Sequence, residues 1–125
     1  MPGAGKQNIV ASKTMVSCAK NYAEAGYEVV ADGVIGDSFL DHWTEGISKG
    51  INVHYAILLP SLAMTLARDE NRGRPPAPDG VIHCWNMISS WTAYKSHMID
   101  STGQTPMETA ATVRSMLSDG CLRIK

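Results

Sequence analysis

The chain has 125 residues, enough for one domain with a single core, which at this size buries roughly two-thirds of the surface of the unfolded chain. Charged residues make up 18% and the formal net charge is −1, a balance that disfavours nucleic acid as the main partner. Three scattered cysteines without a C-x-x-C pair fit a reducing, cytoplasmic setting, and the longest apolar run, residues 55–59, is far below the ~20 residues of a membrane span.

The first half of the chain predicts a helix, a strand and a short helix. Apolar and small residues recur at helical spacing between Asn8 and Ala25, and Gly26 follows as a left-handed cap. The β-branched run from Tyr27 to Gly33 predicts a buried strand that opens into a loop. Within residues 35–46 we expect a short helix, capped by Asp37 or Ser38, with three apolar residues on one side: Phe39, Leu40 and Trp43.

The second half continues the alternation of strands and helices. Residues 51–59 predict the clearest strand, nearly continuously apolar at its end, and a helix begins at Pro60-Ser61 and runs to about Asp69. The proline-rich segment 72–78 predicts a surface loop or flap, residues 81–94 a helix with an aromatic face, and residues 97–100 a last short strand. A final helix runs to Asp119, with Thr105 as N-cap, Pro106 at N1, Glu108 at N3 and Gly120 as its stop.

This alternation favours right-handed crossovers and a mostly parallel sheet, in a three-layer α/β/α fold. We expect a single domain over residues 1–125, with a flexible N-terminus at 1–7 and a lid-like loop at about 68–80. Ligands of such sheets bind at the carboxyl ends of strands. Three segments follow predicted strands in this way: Asp32-Gly33, Leu59-Pro60-Ser61 and Asp100-Ser101-Thr102-Gly103.

Several residue types in this pattern could carry chemistry. Asp32, at the end of a strand, could hold Mg²⁺ through water or accept a proton from a substrate hydroxyl, or it could simply turn the chain before Gly33. Arg68, Arg72 and Arg74 could stabilise charge on a transferring phosphate, or they could form a solvated basic loop.

The segment Gly3-Ala4-Gly5-Lys6-Gln7 is similar to the end of a phosphate-binding G-x-x-x-x-G-K-[ST] loop. It has neither the first glycine nor a preceding strand, and Gln7 stands where the metal-binding Ser or Thr belongs. We therefore interpret it as an N-terminal segment and not as a working phosphate loop.

Several motifs in order resemble one bacterial family. They are Glu28-Val29-Val30-Ala31-Asp32-Gly33-Val34-Ile35-Gly36, Phe39-Leu40-Asp41, Val53-His54-Tyr55-Ala56-Ile57-Leu58-Leu59-Pro60-Ser61, and Ile99-Asp100-Ser101-Thr102-Gly103-Gln104-Thr105-Pro106 with Glu108-Thr109. The chain resembles the small P-loop kinase-like proteins often labelled AAA-family ATPases, relatives of chloramphenicol phosphotransferase, shikimate and gluconate kinases and zeta-toxin-type kinases. The resemblance spans about Gln7 to the C-terminus, and the strand and Walker A loop that come first in this family have no counterpart in these 125 residues.

The resemblance implies an ATP-dependent phosphotransferase that uses ATP and Mg²⁺ and acts on a small hydroxyl-bearing molecule. It implies that Asp32 is the catalytic base or metal carboxylate and that Gly33 and Asp41 lie near the substrate. Phosphate and nucleotide contacts are implied for five residues: Arg68, Arg72, Arg74, Ser101 and Thr102. Leu59 departs from the family, which often has an arginine there.

Without the phosphate-binding loop, we expect the 125 residues to be inactive or weak. The alternative hypothesis is a non-enzymatic relative that acts as an interaction module. In the family's strand order, the predicted strands near Glu28 and Val53 flank a vacant central position. They could pair directly, or exposed edges could pair with a partner, with a second copy or with a further N-terminal segment.

Overall fold

The computed structural model describes residues 4–33, 35–47 and 49–125, with the side chains of Ala4 and Asp37 left out of the description. The chain forms two compact units: a first unit that extends to His54 and includes Arg123–Lys125, and a second unit, Tyr55–Leu122. Helices account for 57% and strands for 5% of the residues that the structure describes. The prediction of a three-layer α/β/α fold with a mostly parallel sheet is therefore wrong.

The first unit contains helix α1 (Ala4–Glu24), a 3-10 turn (Asp37–Phe39) and helix α2 (Leu40–Gly46). The second unit contains strand β1 (Ile57–Leu58), helix α3 (Leu62–Glu70), helix α4 (Pro78–Ser89), a 3-10 turn (Lys95–His97), strand β2 (Met98–Ile99) and helix α5 (Pro106–Asp119). None of these helices is both long enough and apolar enough to cross a membrane.

The core of the first unit lies between α1 and α2. Val16 and Ala19 of α1 are buried against Trp43 of α2 and Ile47, which follows it. Gly46 is needed for this approach, because a Cβ at that position would stand 2.6 Å from Val16 Cγ1. Helix α1 begins four residues before the predicted start, so residues 4–7 are helical where the sequence predicted a flexible terminus.

The last residues of the chain complete the first unit. The Val53 amide donates to the Lys125 carbonyl and the Ile124 amide donates to the Val53 carbonyl, each at 2.8 Å, beside an antiparallel bridge between His54 and Arg123. Lys125 Nζ donates to the carbonyls of Thr44 (2.7 Å) and Ile47, at the end of α2, where a cation is favourable. The sequence did not predict this role of the terminus.

Two predicted strands are wrong or largely so. Tyr27–Gly33 forms no strand, because no strand among the described residues runs beside it to accept a ladder of hydrogen bonds. The strand predicted over residues 51–59 is reduced to Ile57–Leu58 and the single bridge at His54.

The second unit contains a parallel two-stranded sheet. Ile57 pairs with Met98 and Leu58 with Ile99, and the Leu59 amide donates to the Ile99 carbonyl at 2.9 Å. Helices α3 and α4 lie in the connection between the two strands and contact each other. Parallel pairing across a helical crossover matches the sequence, although the sheet is much smaller than predicted.

The start of α3 and both ends of α5 are the most accurately predicted features. Ser61 caps α3 by accepting from the Met64 amide, Thr105 caps α5 by accepting from the Glu108 amide, both at 3.2 Å, and Gly120 ends α5 at φ 77°. Phe39, and not the predicted Ser38, occupies the N-cap of α2, and it makes no capping hydrogen bond through its side chain. The side chain of Asp37, the other predicted cap, lies outside the described part of the structure. Helix α4 ends at Ser89 and not at Tyr94 as predicted. Trp91 and Tyr94 therefore lie outside the helix on whose aromatic face they were expected.

Candidate functional site

The carboxyl end of the parallel strand pair is held by one threonine. Thr102 Oγ1 accepts from the Ser61 amide at 2.7 Å and donates to Asp100 Oδ1 at 2.6 Å, while the Thr102 amide donates to the same carboxylate oxygen at 3.0 Å. Ser61 follows β1 and Asp100 follows β2, so the hydroxyl joins the segments after both strands. This end of the sheet is where ligands of parallel sheets bind.

Hydrogen bonds from Thr102 lower the pKa of the Asp100 carboxyl group. The Thr102 hydroxyl, and then the Thr102 amide, donate to the carboxylate and hold the pKa of Asp100 below its usual value, because both bonds favour the charged form. Asp100 is exposed, so the negative charge stands at the surface of the strand end.

In the turn after β2, backbone groups and not side-chain hydroxyls are accessible to a ligand. Ser101 is only 3% exposed, and the Gln104 amide donates to its carbonyl at 3.1 Å. Gly103 has φ 73°, a left-handed conformation that glycine adopts without strain. Since the Thr102 hydroxyl and amide both bond to Asp100, the groups left for a ligand are the Thr102 carbonyl and the backbone of Gly103.

The arginine-bearing segment is anchored by a buried carboxylate. Asp69, in the last turn of α3, is 4% exposed; its Oδ2 accepts from the Ala77 amide at 2.8 Å, and its Oδ1 lies 4.0 Å from Arg72 Nη1. These contacts close the loop between α3 and α4. Arg68, Arg72 and Arg74 are all exposed, so their guanidinium groups are accessible to an anion.

Aromatic side chains stiffen the second unit near both strands. Trp85 Nε1 of α4 donates to the Pro60 carbonyl at 2.8 Å, which fixes α4 to the segment after β1. The rings of Tyr55, Tyr94 and His97 contact one another, with centroids 5.5 to 6.1 Å apart, and His97 Nδ1 lies 2.7 Å from the Tyr55 carbonyl. These side chains serve the packing of the strand pair.

The site residues expected from the resemblance fall into two groups. Arg68, Arg72, Arg74, Ser101 and Thr102 belong to the second unit, and Asp32, Gly33 and Asp41 to the first. Asp32 and Gly33 lie in the exposed segment after α1, and Asp41 is exposed in the first turn of α2. A Cβ on Gly33 would meet only Met15 Cε, at 4.0 Å.

Metal ligands are sparse in the part of the chain that the structure describes. Within 4–33, 35–47 and 49–125, no group of three or more His, Cys, Asp or Glu side chains could hold an ion. Mg²⁺ is usually held by one or two carboxylates, waters and substrate phosphates, so a single aspartate such as Asp32 remains compatible with its binding.

Sequence reasoning missed the roles of Asp69 and Asp100. An acidic residue in the last turn of a helix opposes the helix dipole, so Asp69 directly before a proline-rich loop was a signal that a specific partner compensates it. In Asp100-Ser101-Thr102 the spacing of an aspartate two residues before an amide is typical of an Asx turn.

Comparison with protein families and with curated proteins identified no relative of this chain. No protein-family model matches the chain, and no curated protein matches it.

Proposed function

We propose that the chain contributes the nucleotide-binding side of an ATP-dependent phosphotransferase that acts on a small hydroxyl-bearing molecule. The observation that carries the proposal is the Thr102 hydroxyl, which joins the segments after β1 and β2 at the carboxyl end of a parallel strand pair. An exposed arginine-bearing loop, anchored by Asp69, belongs to the same unit. Both features lie at positions for which the family resemblance implies nucleotide contacts.

The proposed roles follow from the chemistry of each group. Arg72 and Arg74, and Arg68 at the base of the loop, would stabilise the negative charge of the phosphates, to which guanidinium groups bind through paired N–H donors. The backbone of the turn at residues 102–103 would contact the adenine. Mg²⁺ when bound would neutralise phosphate charge.

Nucleotide affinity tests the proposal directly. These 125 residues contain no complete G-x-x-x-x-G-K-[ST] motif, so we expect a Kd for MgATP in the millimolar range. At 5 mM MgATP and a Kd of about 1 mM, binding stabilises the folded state by about 1 kcal/mol, a rise of a few degrees in Tm. Arg72→Ala should abolish the shift.

Arg114→Ala is the matched control, because Arg114 is an exposed arginine of α5 in the same unit and outside the loop. It should keep the shift. No shift at 5 mM, or an equal loss with Arg72→Ala and Arg114→Ala, would overturn the proposal, the second outcome because it indicates unspecific attraction of the nucleotide to positive charge.

A second candidate function is an interaction module, favoured by a different observation in the first unit. Val30 is 93% exposed and Tyr27 is 64% exposed, and no backbone hydrogen bond joins residues 28–31 to another part of the chain that the structure describes. Free backbone groups flanked by exposed apolar side chains are typical of a segment that pairs with another strand.

A further inference from the structure

The loop between α3 and α4 is closed on a single residue. The Arg72 amide donates to the Asp69 carbonyl at 3.4 Å, and the Ala77 amide donates to Asp69 Oδ2 at 2.8 Å. Pro78 then begins α4. Both ends of the segment 72–77 are therefore fixed to one buried side chain and its backbone, while every residue from 71 to 80 is exposed.

Two adjacent prolines lie inside this closed loop. Pro75 and Pro76 are exposed, and they belong to no helix or strand. Neither is among the buried residues that form the core. Their pyrrolidine rings are therefore accessible from solvent.

The covalent structure of this stretch favours the polyproline II conformation. A proline ring fixes φ at about −65°, and a residue that precedes a proline is restricted to an extended ψ. Both restrictions apply to Pro75, and the second applies to Arg74. Ala77, with φ −125° and ψ 66°, departs from this conformation, so the polyproline II stretch ends at Pro76.

The backbone of this stretch has acceptors without donors. Pro75 and Pro76 carry no N–H group, and no hydrogen bond from the part of the chain that the structure describes reaches the carbonyls of residues 74–76. Tyr O–H and Trp N–H groups of a binding groove donate to carbonyls of this kind, while their rings pack against the prolines.

We propose that Arg74-Pro75-Pro76, called here the proline segment, binds a groove on a partner protein that is lined by aromatic side chains and bordered by a carboxylate. Polyproline II segments are recognised in this way because they lose little conformational entropy on binding. The closure of the loop on Asp69 lowers that entropy loss further. The proposal concerns a protein partner and does not require that the chain bind a nucleotide.

The carboxylate of the partner is inferred from Arg74. Its side chain is exposed, and within the described residues no carboxylate lies within 4.0 Å of it, whereas Arg72 lies 4.0 Å from Asp69. An exposed guanidinium directly before the two prolines can reach a carboxylate at the border of the groove. Such an exposed pair adds modestly to affinity and is weakened by salt.

The start of α4 determines which kind of groove fits. Pro75 and Pro78 have the spacing of a P-x-x-P motif, but Pro78 is the first residue of α4 and Ala77 between them is not in the polyproline II conformation. A groove that requires P-x-x-P in this conformation, as SH3 domains do, would have to unwind the first turn of α4. The proline segment fits a groove that holds two adjacent prolines, as WW domains provide.

The test measures binding of the full 125-residue chain to a panel of purified WW domains, with purified SH3 domains for comparison. At about 1 mM domain we expect at least one WW domain to bind and to shift the NMR amide signals of Gly73 and Ala77. Pro75→Ala and Pro76→Ala should each weaken this binding by about tenfold, as the loss of an interface anchor does. Arg74→Gln should weaken it by roughly two- to fivefold at low salt.

Pro106→Ala is the matched control, because Pro106 is an exposed proline at the start of α5 and has no neighbouring proline. It should bind like the wild type. If no WW domain binds at 1 mM, or if binding is unchanged in both Pro75→Ala and Pro76→Ala, the inference is overturned. Binding to SH3 domains alone would overturn the proposed kind of groove.

The same variants separate this inference from the nucleotide proposal. Pro76→Ala removes no charged group, so it should keep the thermal shift with MgATP while it weakens binding of the WW domain. Far-ultraviolet circular dichroism checks that each variant is folded. A wild-type chain that binds a WW domain through the prolines and shows no MgATP shift would overturn the nucleotide proposal and support the proline segment as a docking site.

Discussion

At the scale of single residues, the Thr102 hydroxyl has a structural role that its position in the sequence did not indicate. It is an acceptor for Ser61 and a donor to Asp100, so one side chain both joins the two strand ends and holds a charge in place. The motif at residues 100–103 was predictable as a turn, but its partner Ser61 lies 41 residues away in the chain. Only the pairing of β1 with β2 brings the two together.

Thr102→Val should raise the pKa of Asp100 toward its ordinary value, because it removes the hydrogen bond that contributes most to lowering this pKa. The direction of this pKa shift determines how the stability of the folded state depends on pH. A lowered folded-state pKa stabilises the folded state above the ordinary pKa of aspartate and loses this effect as pH falls through the lowered pKa. The stability gap between wild type and variant should therefore narrow on acidification.

Carboxyl carbon shifts in an NMR titration measure the pKa of Asp100 in both proteins. Thr14→Val serves as control, since the Thr14 hydroxyl donates to the Val10 carbonyl within α1 and touches no carboxylate. An unchanged Asp100 midpoint in Thr102→Val would contradict the role assigned to the hydroxyl.

Asp69 is the second residue whose role depends on a distant partner. Asp69→Ala removes the acceptor of the Ala77 amide and should cost about 1 kcal/mol, because water can reach the exposed Ala77 and satisfy its amide in part. Asp69→Asn keeps an acceptor oxygen and should cost less. We expect faster amide exchange over residues 70–77 in Asp69→Ala, and the exposed Asp79→Asn should leave it unchanged. Equal exchange in all three variants would argue against the anchor.

At the scale of elements, helices were predictable and strands were not. The caps at Ser61, Thr105 and Gly120 are local devices, in which a side chain or a left-handed glycine satisfies groups within four residues. A strand needs a neighbour to receive its hydrogen bonds. The β-branched run at Val29-Val30 has the composition of a strand but no neighbour among the described residues, and so it makes no ladder.

The contact between α1 and α2 gives a prediction at this scale. Gly46→Ala should destabilise the first unit by about 1 to 3 kcal/mol, because the new Cβ would stand 2.6 Å from Val16 Cγ1 in a packed core. Gly80→Ala is the control: it lies in α4 with nothing within 4 Å, and alanine favours a helix. Urea unfolding of both variants, followed by far-ultraviolet circular dichroism, measures the difference. If Gly46→Ala were as stable as the wild type, α1 and α2 could move apart without a loss of stability, which would contradict the prediction.

At the scale of the whole molecule, the chain divides into two units, and the proposed activities divide with them. The arginine-bearing loop and the Thr102 turn belong to the second unit, and the exposed segment of residues 27–32 belongs to the first.

The sequence by itself determined the presence of the three helices of the second unit, the N-cap and stop of α5, the arginine-bearing loop between α3 and α4 and the parallel direction of the strand pair. These follow from periodicity, from contacts between near neighbours and from the helical connection between the strands. Only the tertiary structure decided which strands exist, where the last residues pack and which groups meet at Thr102 and Asp69. Those features depend on partners far apart in the chain, such as Val53 with Lys125, and no local pattern encodes such a meeting.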